Sequence, residues 1–308
     1  MRLGSARARA SVVAGFATAV AAAIALPLSV AAQERVPRDT ASADSVRMYV
    51  LETRDGSLFV GRLVRATVDS VYFVSAGGPI VVPRAAVVEL RELGRGAMRQ
   101  GVYWPPNPGA TRLFFAPTAR MLDKGEGYFS DTYLFFFNFV GGLTSRLTMG
   151  GGFSVFPTED FTNNLLYLTP KVGLIEGSRF NLAAGALVGY AGFNPFDDTN
   201  LGSFGIVYGV TTLGSPDASV TLGVGACYTG SSLGDRPMLL IGGEARITRR
   251  ASLVTENYAN GLCRDAELLS YGVRFFGDRL SVDLAFWNPA GDRVYFPGVP
   301  YVGFAVKF

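Results

Sequence analysis

The chain reads as an all-β protein, an antiparallel transmembrane β-barrel of about twelve strands preceded by a small periplasmic β-barrel-like domain. Three observations predict this. Along the closing segment, Val302, Phe304, Val306 and Phe308 share one face while Tyr301, Gly303, Ala305 and Lys307 share the other. That layout suits a strand with lipid on one side and a polar lumen on the other. Second, short turns and longer loops alternate along the chain after Thr111. Third, 49% of the residues are hydrophobic and the mean hydropathy is +0.26. Yet after residue 32 nothing approaches the ~20 uninterrupted apolar residues of a spanning helix. A barrel reconciles the two by placing apolar residues at every second position.

Taken in order, Arg2, Arg7 and Arg9 precede an uncharged Ala/Val/Leu-rich stretch from Ala10 to Ala32, with small residues at Val30-Ala31-Ala32. This predicts a signal peptide over residues 1 to 32, with Gln33 opening the mature chain; the competing reading is a retained anchor. Residues 33 to 47 are polar and read as a flexible lead. From 48 to 93, Asp55-Gly56, Val68-Asp69-Ser70 and Gly77-Gly78 separate apolar alternations, which are hairpin markers. Residues 94 to 110 carry Pro105, Pro106 and Pro108 and read as a linker, because closely spaced prolines forbid a regular ladder.

From Thr111 twelve candidate strands follow, at 111–118, 127–140, 146–156, 165–175, 180–192, 203–213, 218–229, 237–248, 251–259, 266–276, 279–288 and 299–308. Short turns fall at Thr144-Ser145, Gly177-Ser178, Ser215-Pro216-Asp217, Arg249-Arg250 and Gly277-Asp278. Barrels of the outer membrane keep short turns in the periplasm, so both termini are expected there. On 279–288, Leu280, Val282, Leu284 and Phe286 face one way, and Ser281, Asp283 and Ala285 the other. Reversal would leave four large apolar groups in water at ~1.5 to 3 kcal/mol each. Lipid-outward therefore wins by roughly 6 kcal/mol or more. A tight Gly277-Asp278 turn places Arg274 opposite Ser281 and diagonal to Asp283. By the same parity Lys171, Glu244, Arg246, Glu256 and Lys307 point into the lumen. Tyr133, Phe135, Phe137 and Phe139, with Tyr190, Phe193 and Phe196, form the aromatic girdles of such a barrel.

The chemistry that is missing is as informative. There is no histidine, which removes Ser-His and Asp-His arrangements and the commonest metal ligand. No phosphate-binding glycine loop, dinucleotide fingerprint or cysteine cluster replaces them, so no catalytic residue, cofactor or metal is expected. Gly150-Gly151-Gly152 and Gly242-Gly243, among 38 glycines, sit within strands and serve close packing or bulges. Asp160, Asp197, Asp198 and Asp265 match no calcium-loop spacing and read as solvated loop charge. Cys227 and Cys263 would meet in an oxidising compartment either as a disulfide or as two unpaired thiols. A net charge of +3 without clusters excludes nucleic acid as a partner.

Three resemblances accompany these readings. The end of the chain, with Tyr301, Phe304, Val306 and terminal Phe308, resembles the closing strand of bacterial outer-membrane barrels. There the terminal aromatic is the assembly machinery's recognition signal, which implies lipid and that machinery as partners. Residues 48 to 93 resemble the SH3-like or Sm-like small barrels. In the Sm family such a barrel can bind RNA, but the signal peptide and the lack of a basic patch argue against that role. This leaves a packing or assembly module in the periplasm or, in the docking alternative, a site for a periplasmic protein partner. Asn107-Pro108-Gly109-Ala110-Thr111-Arg112, with Lys124-Gly125-Glu126-Gly127-Tyr128 and Thr132-Tyr133-Leu134-Phe135-Phe136, is similar to the start of a family of uncharacterised bacterial outer-membrane β-barrel proteins. That family implies fold and location, but no substrate. Twelve strands ~4.8 Å apart and tilted about 40° enclose a backbone radius of about 12 Å. The expected role is a narrow passive pore or small-solute transport protein. The alternative is a non-conducting docking protein anchored by its barrel.

Overall fold

The computed structural model describes residues 47–94, 97–155, 164–192, 202–259, 267–290 and 296–308. The expected signal peptide, nearly all of the flexible lead, Phe193, Phe196, Cys263 and the four loop aspartates lie outside them. The described chain divides into two compact units, meeting in sequence at Pro106 and Asn107.

The first unit is a five-stranded antiparallel sheet of β1 (Tyr49–Thr53), β2 (Leu58–Ala66), β3 (Ser70–Ser75), β4 (Gly78–Pro83) and β5 (Val87–Glu92). Its spatial order is β4-β3-β2-β1-β5, so the last strand returns to the first. Leu51, Val71, Phe73 and Val82 form its buried core, because alternation puts them on one face. The β1–β2 turn is tied by Asp55, which accepts from Thr53 Oγ1 at 2.5 Å and from the Ser57 amide at 3.2 Å. These bonds, the Thr53 one foremost, hold its carboxyl below the usual range. Gly56 follows at φ +80°, a conformation that favours glycine.

The second unit is a closed barrel. Its wall comprises β6 (Gly127–Thr132), β7 (Phe136–Thr144), β8 (Leu147–Ser154), β9 (Leu165–Glu176), β10 (Phe180–Ala191), β11 (Gly202–Ser215), β12 (Ala218–Thr229), β13 (Met238–Thr248), β14 (Ala251–Ala259), β15 (Glu267–Phe276), β16 (Leu280–Ala290) and β17 (Val299–Lys307). Each strand pairs antiparallel with its sequence neighbour, and β17 pairs with β6 to close the ring. The Gly127 and Phe308 backbones exchange bonds of 3.1 and 2.8 Å at the seam. Both ends of the wall thus lie on the rim that carries the short turns. The outer face is apolar, with Leu166, Val207, Val224, Leu284 and Val302 all exposed.

Twelve strands is the expected number, but two of the expected segments are placed differently. Residues 111–118 are not in the wall: they lie inside it. Expected strand 127–140 is instead the β6–β7 hairpin, so the total is conserved. Tyr133 and Leu134 take φ of 59° and 64° at that turn, a conformation the sequence does not advertise because neither is Gly, Asn or Asp. It is held by Asp131 Oδ1, which accepts from the Leu134 amide at 2.7 Å, and by Tyr133 Oη donating to the Pro300 carbonyl at 2.6 Å. Tyr133 and Phe135 therefore sit in this turn, while Phe139 is on the outer face. A second correction concerns register. The β15–β16 connection is longer than a two-residue turn, pairing Phe276 with Ser281 and so Arg274 directly with Asp283.

Candidate functional site

The site is the lumen, and its central feature is the segment Asn107–Leu122, which enters the barrel before the wall begins. Leu113, Phe114, Ala116, Ala119 and Leu122 on this segment are buried. Leu113, Phe114 and Ala116 pack with inward Met238, Leu240, Val254, Tyr258 and Tyr301 from the wall. Burial falls on consecutive residues rather than alternate ones, which is why a two-residue period does not describe the segment. The wall makes room with glycine: a Cβ on Gly242 would stand 2.3 Å from Leu113 Cδ1, and one on Gly142 would stand 2.2 Å from the Asp123 carbonyl.

A polar latch holds the segment towards the short-turn end. Arg274 on β15 is fully buried. Its Nε donates to Asp283 Oδ1 at 2.6 Å and its Nη1 to Glu244 Oε2 at 3.0 Å. The same guanidinium donates to the carbonyls of Gly109, Arg112 and Leu113 on the segment. Arg112 reaches back, donating from Nη1 to Asp283 Oδ2 at 2.8 Å and from Nη2 to Ser281 Oγ at 3.3 Å. Asn107 Nδ2 donates to Glu244 Oε1 at 2.7 Å. The formal charges of Arg112, Arg274, Glu244 and Asp283 cancel within the cluster, and further bonds run to backbone carbonyls and to the Ser281 and Asn107 side chains. Burial of charge is tolerated under those conditions.

Further contacts fix the rest of the segment. Glu256 Oε2 accepts from the amides of Phe115 and Ala116 at 2.9 and 3.0 Å, and its Oε1 from Tyr258 Oη at 2.7 Å. Lys171 Nζ donates to the carbonyls of Thr118 and Arg120 at 3.1 and 2.7 Å. The Ala119 amide donates to Thr212 Oγ1 at 2.9 Å. These bonds satisfy backbone groups of an irregular strand that has no ladder of its own.

Of the remaining sequence-derived candidates, Arg246 and Lys307 lie nearer the short-turn rim. Arg246 pairs with Asp217 at 2.8 Å and lies over the Phe276 ring at 4.8 Å. Lys307 pairs with Glu126 at 2.8 Å. Tyr301 faces inward, its Oη donating to the Phe114 carbonyl at 3.2 Å, while Phe308 is exposed. Cys227 faces inward, is buried and is not a free thiol. Among the described residues no cluster of metal-ligating side chains occurs. Sequence reasoning missed Asn107, Arg112 and the whole inserted segment. The signal available was the bracketing by Pro108 and Pro117, which interrupts a strand that otherwise alternates acceptably.

No family model matches the chain, and no curated protein matches it. Among solved structures, it is similar to the KdgM porin at 8% identity and TM-score 0.41, over 59% of this chain and 96% of that one. The NanC porin gives 7% identity and TM-score 0.38, over 59% and 97%. A loop-deleted OmpT, an outer membrane protein of Vibrio cholerae, gives 11% identity and TM-score 0.32, over 85% and 97%.

Proposed function

We propose that this chain is an integral bacterial outer-membrane barrel acting as a narrow passive pore or transport protein for small solutes, held closed in this structure by its own segment Asn107–Leu122. One observation carries the reading: a twelve-strand closed wall, apolar outside, has its interior closed by a segment that is not part of the wall. A wall of this size without the segment leaves a passage, since side chains fill only about half of a ~12 Å backbone radius. In this reading the rim with the short turns, and with it both termini, faces the periplasm. A non-enzymatic role is supported by the state of the inward carboxylates. Glu244, Asp283 and Glu256 are each engaged by guanidinium, amide or phenol donors, which leaves none of them poised as a general base.

Conductance in planar bilayers tests the reading. The intact chain is expected to show low or intermittent conductance. Arg112→Ala, which removes the segment's own cation from the latch, is expected to raise the open fraction. Silence of both proteins across several salts, with the barrel shown to be folded, would overturn the pore.

A second reading is supported by the separate core of β1–β5. We assign residues 48 to 93 to the SH3-like or Sm-like small barrels, because the fifth strand returns to the first. In this reading the unit captures a periplasmic protein while the barrel anchors it. Deleting residues 48 to 93 would then abolish capture and leave the barrel folded; unchanged capture would exclude it.

A further inference from the structure

Between the polar latch and the long-loop end, the lumen changes character. It encloses a cavity of about 470 Å³ floored by Phe114 and walled by Leu187, Ile206, Met238, Leu240 and Trp287. That volume is within the range of small-molecule sites, ~300 to 1,000 Å³. Trp287 stacks flat on Tyr301, with centroids 5.1 Å apart and planes 4° from parallel. Phe114 tilts onto the same Tyr301 ring at 5.5 Å. The aromatic shelf therefore joins the wall to the inserted segment.

Among the described residues three charged side chains line the cavity: Arg112, Asp131 and Lys171. All three are engaged. Arg112 binds Asp283, Lys171 binds the Thr118 and Arg120 carbonyls, and Asp131 accepts from the Leu134 amide. Four buried polar atoms of the cavity's lining residues, Thr111 Oγ1, Asn138 Oδ1, Thr148 Oγ1 and Trp287 Nε1, have no hydrogen-bond partner among the described residues. A lumen suited only to water and ions would be lined by polar groups throughout. The lining of this half is mostly hydrocarbon and aromatic ring, and its charged side chains are committed to partners within the protein.

We propose that this cavity is a binding site for an uncharged, apolar small molecule, aromatic or aliphatic, seated against Phe114 and the Trp287–Tyr301 shelf. Apolar walls favour transfer of such a ligand out of water, whereas a charged molecule would find no counter-charge available among the described residues. The site stands on the cavity and not on passage of solutes, so silence in bilayers leaves it intact.

The test uses the full chain with Trp104→Phe, leaving Trp287 as the sole indole, reconstituted in lipid nanodiscs. Energy transfer from Trp287 to N-phenyl-1-naphthylamine is expected to saturate at one probe per chain, above the linear partitioning into empty nanodiscs. Ile206→Phe, which fills the cavity, is expected to weaken binding by about tenfold, as an added group in a fitted apolar pocket does. Leu187→Gln provides an independent variant and should weaken binding in the same direction. Competition by decanol shows that aliphatic molecules share the site, and absence of competition restricts it to aromatic ones; either result places the ligand in the proposed class. Linear partitioning equal to that of empty nanodiscs would overturn the proposal, as would saturable binding that neither variant alters. Equal binding of the sulfonated analogue would overturn the uncharged class.

Discussion

Arg274 is the residue on which most of the lumen depends, because it alone touches two wall carboxylates and three carbonyls of the inserted segment. Removing one member of such a cluster leaves charge buried without a partner, which costs ~3 to 5 kcal/mol. Asp283→Ala leaves Arg112 without a carboxylate and Arg274 with Glu244 alone, an uncompensated buried cation, and is therefore expected to lower the barrel's unfolding free energy by about that amount, read by guanidinium titration in liposomes. A loss under about 1 kcal/mol would show that water enters and rescues the guanidinium groups. At the same scale, Cys227 and Cys263 are proposed to pair. Thiol titration of the denatured, unreduced protein should then find no free thiol, and two would refute the pairing.

The inserted segment behaves as an element without secondary structure. Several of its amides bond carbonyls of the segment itself, and three are satisfied by side chains of the wall: Phe115 and Ala116 by Glu256, Ala119 by Thr212. Hydrogen exchange on the native chain should find these three amides protected although they belong to no ladder. Glu256→Ala should release Phe115 and Ala116 selectively while the Ala119 amide stays slow. Uniform release of all three would mean that the segment leaves the lumen as one unit. The β6–β7 hairpin makes a related point. Its left-handed turn residues are held by Asp131 and the Tyr133 hydroxyl, so a turn without turn chemistry is stabilised by groups around it.

On the scale of the whole molecule, outward and inward faces should respond oppositely to charge. Leu284 is exposed on the outer face, midway along β16 and paired with Val302. Leu284→Arg is expected to cost ~2 to 4 kcal/mol at the bilayer midplane, measured as equilibrium unfolding in liposomes. A neutral effect would place that face in water and remove the membrane from the account. Phe308 closes the seam with Gly127 through paired backbone bonds. Its deletion is expected to lower the yield of folded barrel recovered from the outer membrane, with unchanged yield arguing against its role in assembly.

Strand alternation is a local property, set by which side chains meet hydrocarbon and which meet the lumen. The closing strand, the alternation of turn and loop lengths, and the face of Leu280, Val282, Leu284 and Phe286 were therefore legible in the amino-acid order. The all-β barrel class and its twelve strands follow from that, even though two of the twelve segments were assigned differently. The fate of Thr111–Thr118 was not legible. A short alternating run satisfies its amides equally well in a wall or against lumenal side chains, and only the ring closing between β6 and β17 decides between them. The direct pairing of Arg274 with Asp283 likewise depends on how many residues the turn consumes. Sequence determined the wall because each strand carries its own pattern. Tertiary structure decided what fills the lumen, because that depends on groups up to 187 residues apart meeting at hydrogen-bond distance.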